Sequence, residues 1–313
     1  MKIGFLFPGQ GSQSIGMGKD LYENYEIVKE IYDKAEEITK IPIKKLSFEG
    51  PEEELNKTQN TQLAILTMSL AITKLLETEG IKADISAGLS LGEYSALINS
   101  KAITIEDGFK IVKARGKYMQ ELCPKGDWKM AAIMGLTEDQ VNEGISKVKS
   151  GFVKAVNFNT EGQIVLSGET KAIEEACTYL KEMGAKRALP LNTAGPFHTE
   201  KLIESAKALR AELENYNFNK FESKVIKNLT GDTYYSDEDN IKEILANHII
   251  NPVQFKKTLK KMLEEGIDTF IEIGPGKTLS GFLKRIETDK EIKILNISNV
   301  ETYKNTLSIL KGE

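Results

Sequence analysis

The chain has 313 residues, 40% of them hydrophobic and 28% charged, a balance ordinary for a globular enzyme. Lys+Arg 42 against Asp+Glu 46 gives a net charge of -4, which excludes the concentrated basic surface of a nucleic-acid binder. Cys123 and Cys177 are too few for a disulfide framework or a structural zinc site. The N-terminal apolar run is too short for a signal peptide or membrane span, so a cytoplasmic protein is expected.

In chain order, a short apolar strand at 2–7 runs into the turn Pro8-Gly9-Gln10-Gly11-Ser12. Helical patterning follows at 21–39 and at 62–79, where Leu63, Leu66, Leu70 and Leu75 recur at helical spacing. A buried strand is predicted at 85–89, then helices at 93–99 and 105–122. This alternation of strand and helix argues for a mostly parallel sheet covered on both faces.

The rhythm then changes. A strand is predicted at 128–134 and a helix at 137–149, opened by a Thr137–Gln140 capping pattern. Paired strands at 152–158 and 163–167 flank the turn Asn159-Thr160-Glu161-Gly162. A helix at 170–183 stops at Gly184, before a strand at 186–191. The order βαββαβ predicts a small ferredoxin-like subdomain at 126–195. Beyond it come a helix at 199–214, a strand at 223–228, helices at 241–250 and 253–265, a strand at 269–273 and a closing helix. The expected architecture is a large α/β domain, residues 1–125 and 196–313, interrupted by the small one.

Gly88-Leu89-Ser90-Leu91-Gly92 is a Gly-x-Ser-x-Gly segment between a predicted strand and a predicted helix. A sharp turn there projects the serine, and the flanking glycines remove side chains that would collide. The following helix aims backbone N–H groups and the positive end of its dipole at the same spot. A serine nucleophile needs a base, and the only histidines are His198 and His248. His248 lies beside an apolar helical stripe of Ile241, Ile244, Leu245 and Ile249, where a structural role is expected. His198 follows Gly195-Pro196-Phe197 in a loop, from which a side chain can reach a cleft, and is the favoured base. The competing arrangement is His248 with Asp237 or Asp239 as its acid.

Two other motifs fail. Gly9-Gln10-Gly11 resembles the start of a dinucleotide fingerprint, but its third glycine would fall at Ser14. Gly276-Lys277-Thr278 resembles the end of a phosphate-binding loop, but the earlier glycine would fall at Ile271.

Taken together, FPGQGSQ (7–13), TQNTQ (58–62), GLSLGEY (88–94), VKARGKYM (112–119), VNFNTEGQIVLSG (156–168), GPFH (195–198), NPVQF (251–255) and EIGPGKTL (272–279) run from end to end of the chain. In them the sequence resembles the malonyl-CoA:acyl carrier protein transacylases and the related acyltransferase domains of polyketide and fatty acid synthases. The resemblance implies a hydrolase-like α/β domain with a ferredoxin-like insertion. It also implies transfer of malonyl from malonyl-CoA to a carrier-protein thiol through an acyl-serine, with no metal or redox cofactor.

The same resemblance makes Ser90 the nucleophile and His198 its base, with the backbone carbonyl of Asn251 orienting the histidine. The backbone N–H groups of Gln10 and Leu91 would form the oxyanion hole, and Arg115 would bind the malonyl carboxylate. Gln62, Phe197 and Asn159 would line the pocket. A guanidinium suits a carboxylate because it offers two parallel hydrogen bonds, and arginine occurs only at Arg115, Arg187, Arg210 and Arg285. An aromatic at Phe197 would leave little room for a methylmalonyl branch. The family's usual histidine before the nucleophile is here Leu89, which implies an altered site environment with activity retained. Partners implied are acyl carrier protein and a coenzyme A thioester, with neither nucleic acid nor membrane involved. Lys256, Lys257, Lys260 and Lys261, with Lys284 and Arg285, are candidate contacts for an acidic carrier. An esterase or thioesterase, and a silent carrier-binding module, are the competing classes.

Overall fold

The structure, a computed structural model, describes residues 1–191 and 195–312. Five strands form one wholly parallel sheet: β1 (Ile3–Phe7), β2 (Ile85–Gly88), β7 (Lys224–Val225), β8 (Thr269–Ile273) and β9 (Lys293–Ile297). Their order is β7-β2-β1-β8-β9, so β1 is central and every one of its residues is buried. Side chains alternate across a strand. Ile3, Phe5 and Phe7 therefore enter one core with the helices Thr58–Thr78 and Ile105–Glu121, while Leu6 enters another with Phe255–Glu264 and Thr278–Leu283. Covering both faces satisfies a parallel sheet whose strands are apolar throughout.

The second sheet contains β3 (Trp128–Met134), β4 (Val153–Thr160), β5 (Gln163–Glu169) and β6 (Arg187–Pro190), in the antiparallel order β4-β5-β3-β6. Helices Glu138–Ser146 and Thr170–Glu182 cover one face, meeting Ala131, Ile133, Ile164 and Leu166. Alternate residues Met130, Ala132 and Val165 face the other way and line a cleft against the parallel sheet. Edge strand β4 is tied to the large sheet's side of the molecule: Phe158 N donates to Val253 O at 2.9 Å and Val253 N to Val156 O at 2.8 Å. Residues 192–194, near the expected end of the small unit, lie outside the described residues.

Several expectations change in detail. The helix expected at 21–39 breaks at Tyr25, whose extended backbone (φ -132°, ψ 121°) separates Lys19–Asn24 from Glu26–Thr39. The ring of Tyr25 meets that of Tyr303 edge-on, 5.3 Å between centroids. Helix Thr58–Thr78 is buried on nearly every side, beyond the leucine stripe that predicted it, because helices Glu26–Thr39 and Ile105–Glu121 both pack on it. The strand expected at 223–228 joins the parallel sheet only at Lys224–Val225, after which Ile226 bridges to Tyr234. The expected closing helix is in fact helix Thr278–Leu283, strand β9 and helix Val300–Lys311. β9 is a half-buried edge strand after a charged stretch, so its sequence lacks a strong strand pattern. Among the described residues no helix is long and apolar enough to cross a membrane.

Candidate active site

Parallel strands deliver their C-terminal ends to one edge of a sheet, and ligands gather there. Phe7 and Gly88 end β1 and β2 side by side, so the Pro8–Ser12 turn and the serine turn emerge together. Ser90 sits at φ 53°, a left-handed conformation that a non-glycine residue adopts only when its surroundings impose it. The neighbours impose it closely. A Cβ on Gly92 would lie 2.0 Å from the Phe7 carbonyl oxygen, and one on Gly9 would lie 2.3 Å from that of Leu89. Only glycine lets these two turns press backbone against backbone.

Ser90 Oγ lies 2.8 Å from His198 Nε2, and His198 Nδ1 lies 2.9 Å from the carbonyl of His248. A carbonyl can only accept, so Nδ1 carries the proton and the neutral ring turns the Nε2 lone pair toward the Ser90 hydroxyl. Burial, then the positive charge of His248 when protonated and of Arg115, push the His198 pKa down to about 3. The His198 ring is therefore unprotonated at neutral pH. Serine acylation should keep a constant kcat/KM from pH 8 down to pH 5 in a pH-rate series, and an acid limb centred near 6.5 would contradict this. The ring takes up a proton on unfolding between its ordinary 6.5 and about 3. Stability is therefore lost as pH falls through that window.

Asn251, expected to orient His198, is joined in that place by His248. The 2.9 Å bond goes to His248, in the last turn of helix Ile241–Ile250, where carbonyls have no partner within the helix. Asn251 caps that helix, and its backbone also favours the protonated His198 ring through a hydrogen bond. The pairing of Asp237 or Asp239 with His248 is overturned. Asp237 accepts from Phe221 N, and Asp239 pairs with Lys227 at 2.8 Å. The carboxylate beside His248 is Glu93, 2.6 Å from Nδ1.

A cleft of about 500 Å³ opens over Ser90. Gln10, Leu91, Gln62, Arg115, Phe197, Asn159 and Leu89 all line it. Neither the Gln10 nor the Leu91 N–H donates to another group among the described residues. Leu91 precedes the first turn of helix Gly92–Asn99, so its N–H belongs to the positive end of that helix. Arg115 is 1% exposed and forms no ion pair among the described residues. It donates from Nη1 to Gln62 Oε1 at 2.7 Å and from Nη2 to Ser90 Oγ at 3.2 Å, and lies 5.3 Å from the centre of the Tyr94 ring. Such a cation, placed beside a nucleophile, suits an anionic acyl group. Asn159 Oδ1 is buried without a hydrogen-bond partner. Phe197 is nearly buried, its ring held over Gly195, where a Cβ would come within 2.6 Å.

Two contributors escape sequence reasoning. Asn228 Oδ1 accepts from Ser90 N at 2.8 Å while its Nδ2 donates to Gly88 O at 2.6 Å, bracing the serine turn from 138 residues away. Glu93 Oε1 accepts from Asn228 N at 2.8 Å and from Tyr235 OH at 3.0 Å. The only sequence signal for Asn228 is a polar residue closing an apolar strand pattern.

The sequence profile described as the acyl transferase domain matches residues 4–300. The malonyl CoA-acyl carrier protein transacylase of Bacillus subtilis (strain 168) is 41% identical over 100% of this chain and 98% of its own. That of Clostridium perfringens, a solved structure, is 46% identical with a TM-score of 0.93, covering 100% of this chain and 98% of its own. A type II PKS acyl-carrier protein in complex with its malonyl-transacylase gives 34% identity and a TM-score of 0.93, covering 100% of both chains. With a fold and sequence shared along its whole length, the chain belongs to the acyl transferase domain family, among the malonyl CoA-acyl carrier protein transacylases.

Proposed function

We propose that this protein transfers a malonyl group from malonyl-CoA, through an ester on Ser90, to the phosphopantetheine thiol of an acyl carrier protein, supplying extender units for fatty acid synthesis. The observation that carries this reading is Arg115, a buried cation with no anionic partner among the described residues, beside a serine already within 2.8 Å of its base. Hydrolysis of a neutral acyl group has no use for it.

In the first half-reaction Ser90 Oγ bonds to the thioester carbon as its proton passes to His198 Nε2. The carbonyl oxygen becomes an oxyanion against the N–H groups of Gln10 and Leu91. The carbon–sulfur bond then breaks, and the departing thiolate takes the proton from His198. In the second half-reaction the carrier thiol gives its proton to His198 and attacks the ester, and Ser90 leaves as the alkoxide and regains the proton. The Arg115 guanidinium holds the malonyl carboxylate throughout, with Gln62 fixing the guanidinium plane. Gln163 lines the mouth of the cleft and accepts from Arg285 Nη1 at 2.6 Å, with exposed Lys284 beside it. We place the acidic carrier there, since Lys256 and Lys260 are both engaged by Glu161.

Intact-protein mass spectrometry after brief exposure to malonyl-CoA tests the reading. One malonyl group per chain is expected, far more slowly replaced by acetyl from acetyl-CoA, and cleared on adding phosphopantetheinylated carrier protein. Malonate release with no adduct and no carrier loading would make the protein a hydrolase.

A further inference from the structure

Glu93 is 1% exposed and lies in the first turn of the helix behind the nucleophile, three residues after Ser90. Its two oxygens face opposite halves of the catalytic pair. Oε1 accepts from Asn228 N, and the Asn228 side chain accepts the N–H of Ser90. Oε2 lies 2.6 Å from Nδ1 of His248, an ion pair when that ring is protonated, and the His248 carbonyl accepts from His198 Nδ1. His248 is fully buried with its ring 5.1 Å from that of His198. Both Ser90 (φ 53°) and His198 (φ 60°) hold left-handed backbone conformations that each cost of order 1–3 kcal/mol and persist only where the surroundings over-determine them.

From this we infer that Glu93 is a positioning residue that sets the Ser90–His198 distance from both sides, through Asn228 on the serine arm and through His248 on the histidine arm. One carboxylate stands between the two arms, whose ends, Ser90 and His198, lie 108 residues apart in the chain: it accepts a hydrogen bond on the serine side and makes a charge contact on the histidine side. A buried charge is retained at such a place when its partners fix geometry, because its desolvation makes it a weak source of stability. The Glu93 side chain does not line the cleft, so its loss removes no contact to the substrate, and its charge reaches Arg115 only through space.

This inference rests on the acyl-transfer reading, and its test separates the two. Glu93→Gln keeps an acceptor for Asn228 and Tyr235 and removes the charge facing His248. His248→Leu cuts the histidine arm alone, and His248→Gln restores an amide donor toward Glu93. Malonyl-serine formation is followed by rapid-quench mass spectrometry, reading rate and final amplitude separately, with the KM for malonyl-CoA measured in parallel. Glu93→Gln and His248→Leu should each slow acylation about 10- to 100-fold, the scale of loss from a misplacement near 1 Å. Amplitude should stay at one group per chain and KM unchanged, and His248→Gln should recover most of the rate. An unchanged rate in Glu93→Gln, or a reduced amplitude at a normal rate, would overturn the inference, the second by showing a role in folding alone. Absence of any adduct on the unmodified protein would overturn the transfer reading, and this inference with it.

Discussion

Replacing Ser90 by alanine is expected to abolish the acyl-enzyme and to lower malonyl transfer about 10⁴- to 10⁶-fold. The hydroxyl is the one atom that forms the covalent bond, and no second nucleophile stands 2.8 Å from a buried neutral imidazole among the described residues. His198→Ala should cost nearly as much, since the hydroxyl then has no acceptor for its proton. The double variant should be little worse than either single one, because groups acting as a unit are strongly non-additive. A steady-state transfer assay with each variant checks this. Retention of more than about 1% of the rate by Ser90→Ala would mean that the thioester is attacked by another group.

Arg115→Ala is expected to lower kcat/KM for malonyl-CoA about 30- to 5000-fold, and to leave acetyl-CoA use unchanged or improved. That range follows from the roughly 2–5 kcal/mol lost when one member of a buried charge pair is removed. In the unliganded protein the guanidinium is held by Gln62 and Ser90 and by the face of Tyr94, all neutral contacts. Burial lowers its pKa, although Tyr94 and, at a distance, Glu93 oppose this. A substrate carboxylate supplies the missing charge. Without the arginine, that carboxylate enters a buried site unpaired, whereas an acetyl group loses nothing. Arg115→Lys should recover only part of the loss, since an ammonium cannot make the two parallel bonds. Competition between malonyl-CoA and acetyl-CoA, read as the mass of the adduct, measures the switch. An Arg115→Ala protein that still prefers malonyl would place the carboxylate elsewhere.

Much of this site could be read directly from the chain. Gly88-Leu89-Ser90-Leu91-Gly92 between strand and helix is a local motif, and its requirement for glycine follows from contacts within a few residues and with the adjacent β1 turn. Strand and helix alternation led to the parallel sheet, and the βαββαβ order led to the antiparallel one, because period and turn chemistry are local properties. The break at Tyr25 and the final strand β9 were not legible. One depends on packing against Tyr303, the other on hydrogen bonding along the free edge of β8.

The choice between His198 and His248 also had a sequence basis, in loop against helix. What each histidine does for the other had none. Only the fold brings the carbonyl of His248 to His198 Nδ1, beside the Asn251 to which the resemblance had pointed, and only the fold sets Glu93, rather than Asp237 or Asp239, beside His248. Asn228 reaches Ser90 across 138 residues of chain. Sequence by itself thus determined the glycines that let the two turns approach, the strand–turn–helix setting of Ser90, and the alternation that builds the two sheets, because these depend on neighbouring residues. Tertiary structure alone decided which carbonyl meets His198 Nδ1, which carboxylate lies beside His248, and which groups hold Arg115. Each of those is a contact between distant segments, fixed by burial and by hydrogen bonds that no local pattern encodes.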